Sequence, residues 1–245
     1  MTLQKLYSYV RQCIQQFDLI EEGDKIAVGL SGGKDSYIMA YAVYSWYKEN
    51  GFVFHGEGLC FLQWDSENES QLLLNNIDWM PLTIIDIRVK SLATIKYRYG
   101  NQANCSLCSE IRKREGDSYI NDNYKEGYIN IVARGLHLTD TAISYLWRDF
   151  WRIDTHQFAS KLNKYNPLVT INHEYKIYLS KPLCYIREFE IQCLANELKI
   201  NSVSKSCPLS RYPSRRDIVE ETIRQIFDDD LWEFQVNGID RYISE

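Results

Sequence analysis

Apolar residues recur every three or four positions at the start of the chain: Leu3, Leu6, Tyr7, Val10, Ile14 and Phe17. That spacing lines one side of a helix, so an amphipathic helix is predicted ahead of everything else. The pattern then changes. Lys25-Ile26-Ala27-Val28-Gly29-Leu30 is a short, continuous apolar run, the signature of a strand buried on both faces. A helix follows over 36–47 and ends before Gly51. The periodicity predicts further strands over 52–62, 82–87, 128–133 and 176–183. It places further helices over 67–77, 110–121, 139–153, 187–198 and 214–227. Strands alternating with helices imply crossover connections and a mostly parallel sheet covered on both faces. The chain reads as one α/β domain over 1–245. An N-terminal helix in 1–20 and a C-terminal helical segment in 205–245 are expected to pack on it.

The turn between the first strand and its helix carries chemistry. Ser31-Gly32-Gly33-Lys34-Asp35-Ser36 joins the apolar run to the helix start. Backbone N–H groups and the positive end of the helix dipole converge there, an arrangement that suits phosphate groups. Gly32 and Gly33 permit positive φ and let a ligand reach the main chain without a Cβ in the way. Ser31 and Ser36 add hydroxyls, and Lys34 adds a mobile positive charge. The spacing is not that of a Walker A loop, which needs four residues between its glycines. The bland alternative is an ordinary glycine turn.

Composition narrows the classes. A chain of 245 residues with 45% apolar content, 12 Gly and 5 Pro can bury a sizeable core and is not of low complexity. It has no apolar stretch of about 18 residues, so no membrane-spanning helix is expected. The first residues lack the apolar block of a signal peptide, and seven unevenly spaced cysteines do not suggest a disulfide framework. The cytoplasm is the expected compartment. The net charge of −5, from 28 basic and 33 acidic residues, does not favour a polyanionic ligand, although a local basic face can serve one.

Three cysteines stand apart. Cys105-Ser106-Leu107-Cys108 is a lone C-x-x-C, compatible with a redox pair, half of a zinc site or coincidence. Its mid-chain place argues against a thioredoxin-type pair, and a second C-x-x-C for zinc is missing. Cys207 lies on a polar loop, an odd place for a structural apolar cysteine. Three thiolates suit an iron–sulfur cluster with one iron left open. Cys13, Cys60, Cys184 and Cys193 have apolar neighbours and are expected to be buried small hydrophobes.

The Ser31–Ser36 loop resembles the PP-loop of ATP pyrophosphatases, Ser-Gly-Gly-X-Asp-Ser, which cleave ATP between the α- and β-phosphates. Four segments together resemble the tRNA 2-thiocytidine synthetases, with the tRNA 2-thiouridine synthetases close behind. They are SGGKDSY at 31–37, CSLCSEIRKR at 105–114, KPLCYIREFEI at 181–191 and the late Cys207. The similarity runs in order from about Gly23 to Phe227. It implies a Rossmann-like sheet of the adenine nucleotide alpha hydrolase type. It also implies ATP with Mg²⁺ over the loop, contacted by Ser31, Gly32, Gly33, Lys34, Asp35, Ser36 and Gly135. A 4Fe–4S cluster on Cys105, Cys108 and Cys207 completes what the resemblance implies. The chain departs from the family at Gly135-Leu136-His137-Leu138-Thr139-Asp140, where the family shows Gly-His-His-X-Asp-Asp. It departs again after Cys207, where the second late cysteine is missing.

The chemistry implied is ATP-dependent thiolation. A heterocycle carbonyl oxygen attacks the α-phosphorus, pyrophosphate leaves, and sulfur then displaces AMP. Lys34 and the loop N–H groups would stabilise the phosphate charge, Asp35 would hold Mg²⁺, and Asp140 and His137 would border the site. For His137 a helix-start residue with a satisfied ring is an equal alternative. For Arg112, Lys113 and Arg114 a phosphate contact competes with a solvated helix face. The acceptor is expected to be a base in tRNA, or else a small heterocycle such as a free purine. A nucleotide-binding iron–sulfur protein without turnover is the reading from another class. A cysteine desulfurase or free sulfide would donate the sulfur. The aromatic Tyr145, Trp147, Phe150 and Trp151 suggest a core or a homodimer contact.

Overall fold

The structure, a computed structural model, describes residues 2–62, 77–88, 105–123, 131–133, 135–141, 143, 168–172, 177–200 and 221. Helix α1 (Leu3–Phe17) buries Leu6, Val10, Cys13 and Ile14 along the stripe its sequence predicts. Thr2 Oγ1 accepts the Lys5 N–H at its start, and Asp18 closes its end in the left-handed region at φ +47°. Strand β1 (Lys25–Leu30) leads through the Ser31–Gly33 turn into α2 (Lys34–Glu49). Strand β2 (His55–Leu62), β3 (Leu82–Asp86), α3 (Cys105–Asn123) and β4 (Ile131–Ala133) follow. The remaining elements are β5 (Leu168–Asn172), β6 (Ile177–Ser180) and α4 (Glu188–Glu197).

The sheet order is β3-β2-β1-β4-β6-β5. All neighbours are parallel except β5 and β6, which pair antiparallel with an irregularity between Thr170 and Asn172. The expected α/β class with a mostly parallel sheet is therefore what the chain adopts. The chain steps from β1 outward to β2 and β3, then returns to β4 on the other side. At such a switch point the connections diverge and leave a crevice beyond the strand ends.

Alternating residues of the central strands face two cores. Ile26, Val28 and Leu30 pack with buried residues of α1, α2 and α4, including Leu6, Ile14, Ile38, Met39, Val43, Ile191 and Leu194. Ala27 and Leu59 point the other way, against Ile120 of α3, and Ile87 packs with Leu107 and Ile111 of the same helix. A polar cluster pins α3 as well. Tyr119 Oη donates to Glu57 at 3.0 Å, and the Thr83 hydroxyl donates to the same carboxylate. Helices thus cover both faces.

Several elements differ from the sequence expectation. The second strand starts at His55, because the Phe52 N–H bonds Tyr47 O (2.9 Å) and closes the end of α2 instead of joining the ladder. Gly51, at φ +71°, makes that reversal. Helix α3 begins at Cys105, five residues earlier than its charge pattern suggests, since Leu107 and Ile111 already form its apolar stripe. Strand β6 stops at Ser180, before Pro182, which has no N–H for a ladder. Strand β5 was not foreseen. The 67–77 helix and the 214–227 helix lie outside the described residues, apart from Ile77 and a helical Glu221. Most of the 139–153 helix, with its aromatic run, also lies outside them. Among the described residues no helix is long and apolar enough to cross a membrane.

Candidate nucleotide-binding site

The loop is stapled by two serines. Ser36 Oγ donates to Gly33 O at 2.9 Å and accepts from Ser31 N–H and Ser31 Oγ, each at 3.2 Å. Ser31 Oγ in turn accepts the Gly33 N–H at 3.4 Å. The Ser36 hydroxyl proton is therefore spent inside the turn, which fixes the loop's shape rather than contacting a ligand directly. Gly32 sits at φ +82°, a conformation other residues adopt only with strain. Gly33 precedes α2 without a side-chain cap, so the first N–H groups of the helix face the mouth of the turn.

Gly135 meets this turn from the end of β4. A Cβ on Gly135 would lie 2.9 Å from the Asp35 carbonyl carbon and 2.9 Å from Ser36 N. The two backbones touch, so only glycine fits.

A cavity of about 460 Å³ opens beside this contact. The loop side contributes Ser31, Asp35 and Ser36, and the strand ends contribute Gly29, Leu30, Leu59 and Phe61. Helix α3 supplies Arg112, Lys113, Gly116, Asp117 and Ile120, and the segment after β4 supplies Gly135, Leu136 and Asp140. Arg112 and Lys113 thus line the cavity, whereas Arg114 is exposed and pairs with Glu115 at 3.4 Å. Gly32, Gly33, Lys34 and His137 are not among the lining residues.

Lys34 Nζ lies 3.0 Å from Asp35 Oδ1 and 3.2 Å from Glu188 Oε1. Burial works against its charge, but the Asp35 and Glu188 carboxylates hold its pKa above the ordinary lysine value. Asp35 Oδ1 is buried, and the Lys34 ammonium 3.0 Å away leaves it a lone pair for a cation. With the polar cradle of the loop, this donor fits Mg²⁺ and a polyphosphate.

His137 is fully buried and starts the helical turn over 138–141. Its Nδ1 accepts the Asp140 N–H at 3.4 Å, while Asp140 Oδ2 accepts the His137 N–H at 3.3 Å. This reciprocal pair is a capping box in which histidine takes the serine's place. It places the proton of neutral His137 on Nε2, 3.4 Å from Asp140 Oδ2. His137 thus starts the helical turn and pairs with Asp140, which lines the cavity edge. The segment is also tied to the start of α4: Leu138 N–H bonds Ile186 O (2.9 Å), and Glu188 N–H bonds Thr139 Oγ1 (3.0 Å).

Cys105 and Cys108 occupy the first turn of α3, whose next turns line the cavity. At 1.5 Å per residue, Cys108 precedes Arg112 by about 6 Å along the axis. Cys207 lies outside the described residues. Among the described residues no three metal-ligating side chains converge. Cys13, Cys60 and Cys184 are buried as expected, and burial pushes the Cys60 thiol up to about 11, which keeps it protonated at neutral pH. Cys193 corrects the expectation, being only half-buried because α4 turns that position toward the surface. Sequence reasoning passed over Glu188, Asp117, Phe61 and Leu136. Glu188 stood in a quoted segment without a role, and the cavity's apolar lining has no local signature.

No protein-family model matches the chain. It is 26% identical over 236 residues to the tRNA-cytidine(32) 2-sulfurtransferase of Ralstonia pickettii, covering 96% of this chain and 69% of that protein. It is also 26% identical over 212 residues to the cytoplasmic tRNA 2-thiolation protein 1 of Yarrowia lipolytica, covering 82% of this chain and 55% of that one. Among solved structures, the U34-tRNA thiolase NcsA from Methanococcus maripaludis, with its 4Fe–4S cluster, superposes with a TM-score of 0.71 at 20% identity. The match covers 99% of this chain and 80% of NcsA. The resemblance to tRNA thiolation enzymes thus extends along the chain, and the structural match supports the Rossmann-like fold.

Proposed function

We propose that this chain is an ATP-dependent sulfurtransferase that adenylates a nucleobase carbonyl in tRNA and replaces its oxygen by sulfur. The observation that carries the proposal is one cavity with two unlike walls. A phosphate-type loop contributes Ser31, Asp35 and Ser36 to it, and the helix that begins with Cys105 and Cys108 contributes Arg112, Lys113 and Asp117.

The roles follow from position. The α2 N-terminus and Lys34 stabilise charge developing on the phosphate oxygens as the base oxygen attacks the α-phosphorus and pyrophosphate leaves. Asp35 Oδ1 is the proposed Mg²⁺ ligand. Asp140, fixed by His137, borders the reacting atoms. A 4Fe–4S cluster on Cys105, Cys108 and Cys207 would supply an open iron to present sulfide. Carbon–sulfur bond formation then expels AMP, which carries away the original oxygen. Arg112 and Lys113 hold phosphate of the acceptor strand on the α3 wall. The sulfur donor is a cysteine desulfurase or sulfide, and the compartment is the cytoplasm.

The net charge of −5 favours a second acceptor class, a small heterocycle such as a free purine. One experiment decides. Anaerobically prepared protein is assayed for ATP–pyrophosphate exchange with added tRNA or free bases, and thiolated nucleosides are sought by mass spectrometry in both pools. Exchange and thiolation with tRNA support the proposal. Exchange with a free base alone moves the acceptor, and ATP binding without exchange reduces the chain to a nucleotide-binding protein.

A further inference from the structure

The first turn of α4 reaches the phosphate-type loop through one side chain. Glu188 Oε1 lies 3.2 Å from Lys34 Nζ, although the two residues are 154 positions apart. Asp35 Oδ1 lies 3.0 Å from the same nitrogen, so two carboxylates share one ammonium. The Lys34 side chain is only 17% exposed.

Glu188 is itself held in place. Its N–H donates to the hydroxyl of Thr139, a buried residue one position before the cavity residue Asp140. Ile191 and Leu194 of the same helix are fully buried in the core that α2 shares. The Glu188 carboxylate therefore has a fixed origin, whereas a lysine alone has a long flexible stem whose rotamer entropy is lost on ordering.

We propose that Glu188 is a positioning residue: its carboxylate fixes the Lys34 ammonium beside Asp35 at the mouth of the loop, ahead of ligand binding. The use of that charge on nucleotide phosphates rests on the function proposed above, whereas the restraint itself does not. Without Glu188, Lys34 collapses onto Asp35 alone or swings into solvent.

Two measurements test this. Lys34 acetylation under mildly alkaline conditions is compared by mass spectrometry with that of exposed Lys48 in the same sample. Loss of one ion pair in Glu188→Gln is expected to raise Lys34 labelling roughly two- to fivefold relative to Lys48, with Glu188→Asp between. ATP affinity is then measured by calorimetry in Lys34→Ala, Glu188→Gln and the double variant. The double variant is expected to bind within about twofold of Lys34→Ala, because Glu188 acts through the lysine. Unchanged relative labelling in Glu188→Gln, or fully additive losses in affinity, overturns the inference. A merely structural role lowers thermal stability and leaves the labelling ratio where it was. If the parent protein binds no ATP, the functional proposal falls, while the labelling still decides whether Glu188 restrains Lys34.

Discussion

Gly135 and Ser36 are in backbone contact: a Cβ on Gly135 would stand 2.9 Å from the Ser36 nitrogen. The end of one strand thereby sets the position of the helix N-terminus on its neighbour. Gly135→Ala must push that turn aside, and overpacking of this kind costs about 1–3 kcal/mol. The expected outcome is a lower urea midpoint together with weaker ATP binding, read by denaturation and calorimetry. A variant with parental stability and affinity would show that the turn yields freely.

Asp35→Ala removes the proposed cation ligand and one of the two carboxylates that hold Lys34. Loss of metal-assisted charge stabilisation is worth several kcal/mol, so pyrophosphate exchange is expected to fall by roughly 100-fold or more. Circular dichroism is expected to be unchanged. Exchange at the parental rate would remove Asp35 from the mechanism.

Cysteine substitutions separate ligands from core. Cys105→Ser, Cys108→Ser and Cys207→Ser are each expected to lose the brown chromophore and thiolation while still binding ATP. Cys60→Ser is expected to keep its iron, because that thiol is buried with its pKa pushed up to about 11. Full iron content in Cys207→Ser would require a different ligand set.

Arg112 and Lys113 line the cavity from α3. If they neutralise phosphates, Arg112→Ala or Lys113→Ala lowers the salt dependence of tRNA binding by about one unit of slope. Filter binding across a salt series measures this. A slope equal to the parent's in both variants would return them to the solvated face.

Acid stability reports on α4. Burial raises the Glu190 carboxyl, but hydrogen bonds from Arg187 and Lys5 outweigh it and leave the pKa below the ordinary 4.5. A depressed carboxylate stabilises the fold fully above its unfolded value and loses that contribution as pH falls through the folded one. Glu190→Gln is therefore expected to be less stable than the parent near neutrality, with the gap closing below about pH 4.5. Urea midpoints at several pH values follow it. A gap constant with pH would mean that the carboxylate's charge contributes nothing.

The central elements were legible because local pattern and tertiary role agree there. The run from Lys25 to Leu30 is apolar because it is covered on both faces, and the following glycines can serve only as a turn. The strand-turn-helix order around Ser31–Ser36 was likewise readable. Strand β5 was not legible: it pairs antiparallel through β6, and nothing within Leu168–Asn172 encodes that partner. The N-terminus of α3 was obscured because the cysteines and serines of its first turn favour no particular structure, and its packing on Ile87 decides. Glu188 escaped notice because its meaning depends on Lys34, which adjoins it only after folding.

Helices α2 and α3 approach the sheet from opposite sides and bury their apolar residues in separate clusters. Among the described residues the two helices meet at the cavity in the chemistry proposed here, so each wall can drift in sequence without unsettling the other's packing. Under the proposed function, acceptor preference could diverge through Arg112, Lys113 and Asp117 while the Ser31–Ser36 loop is inherited untouched. Grafting those three positions from a relative with a different acceptor is thus a route to retargeting that leaves the buried apolar clusters alone.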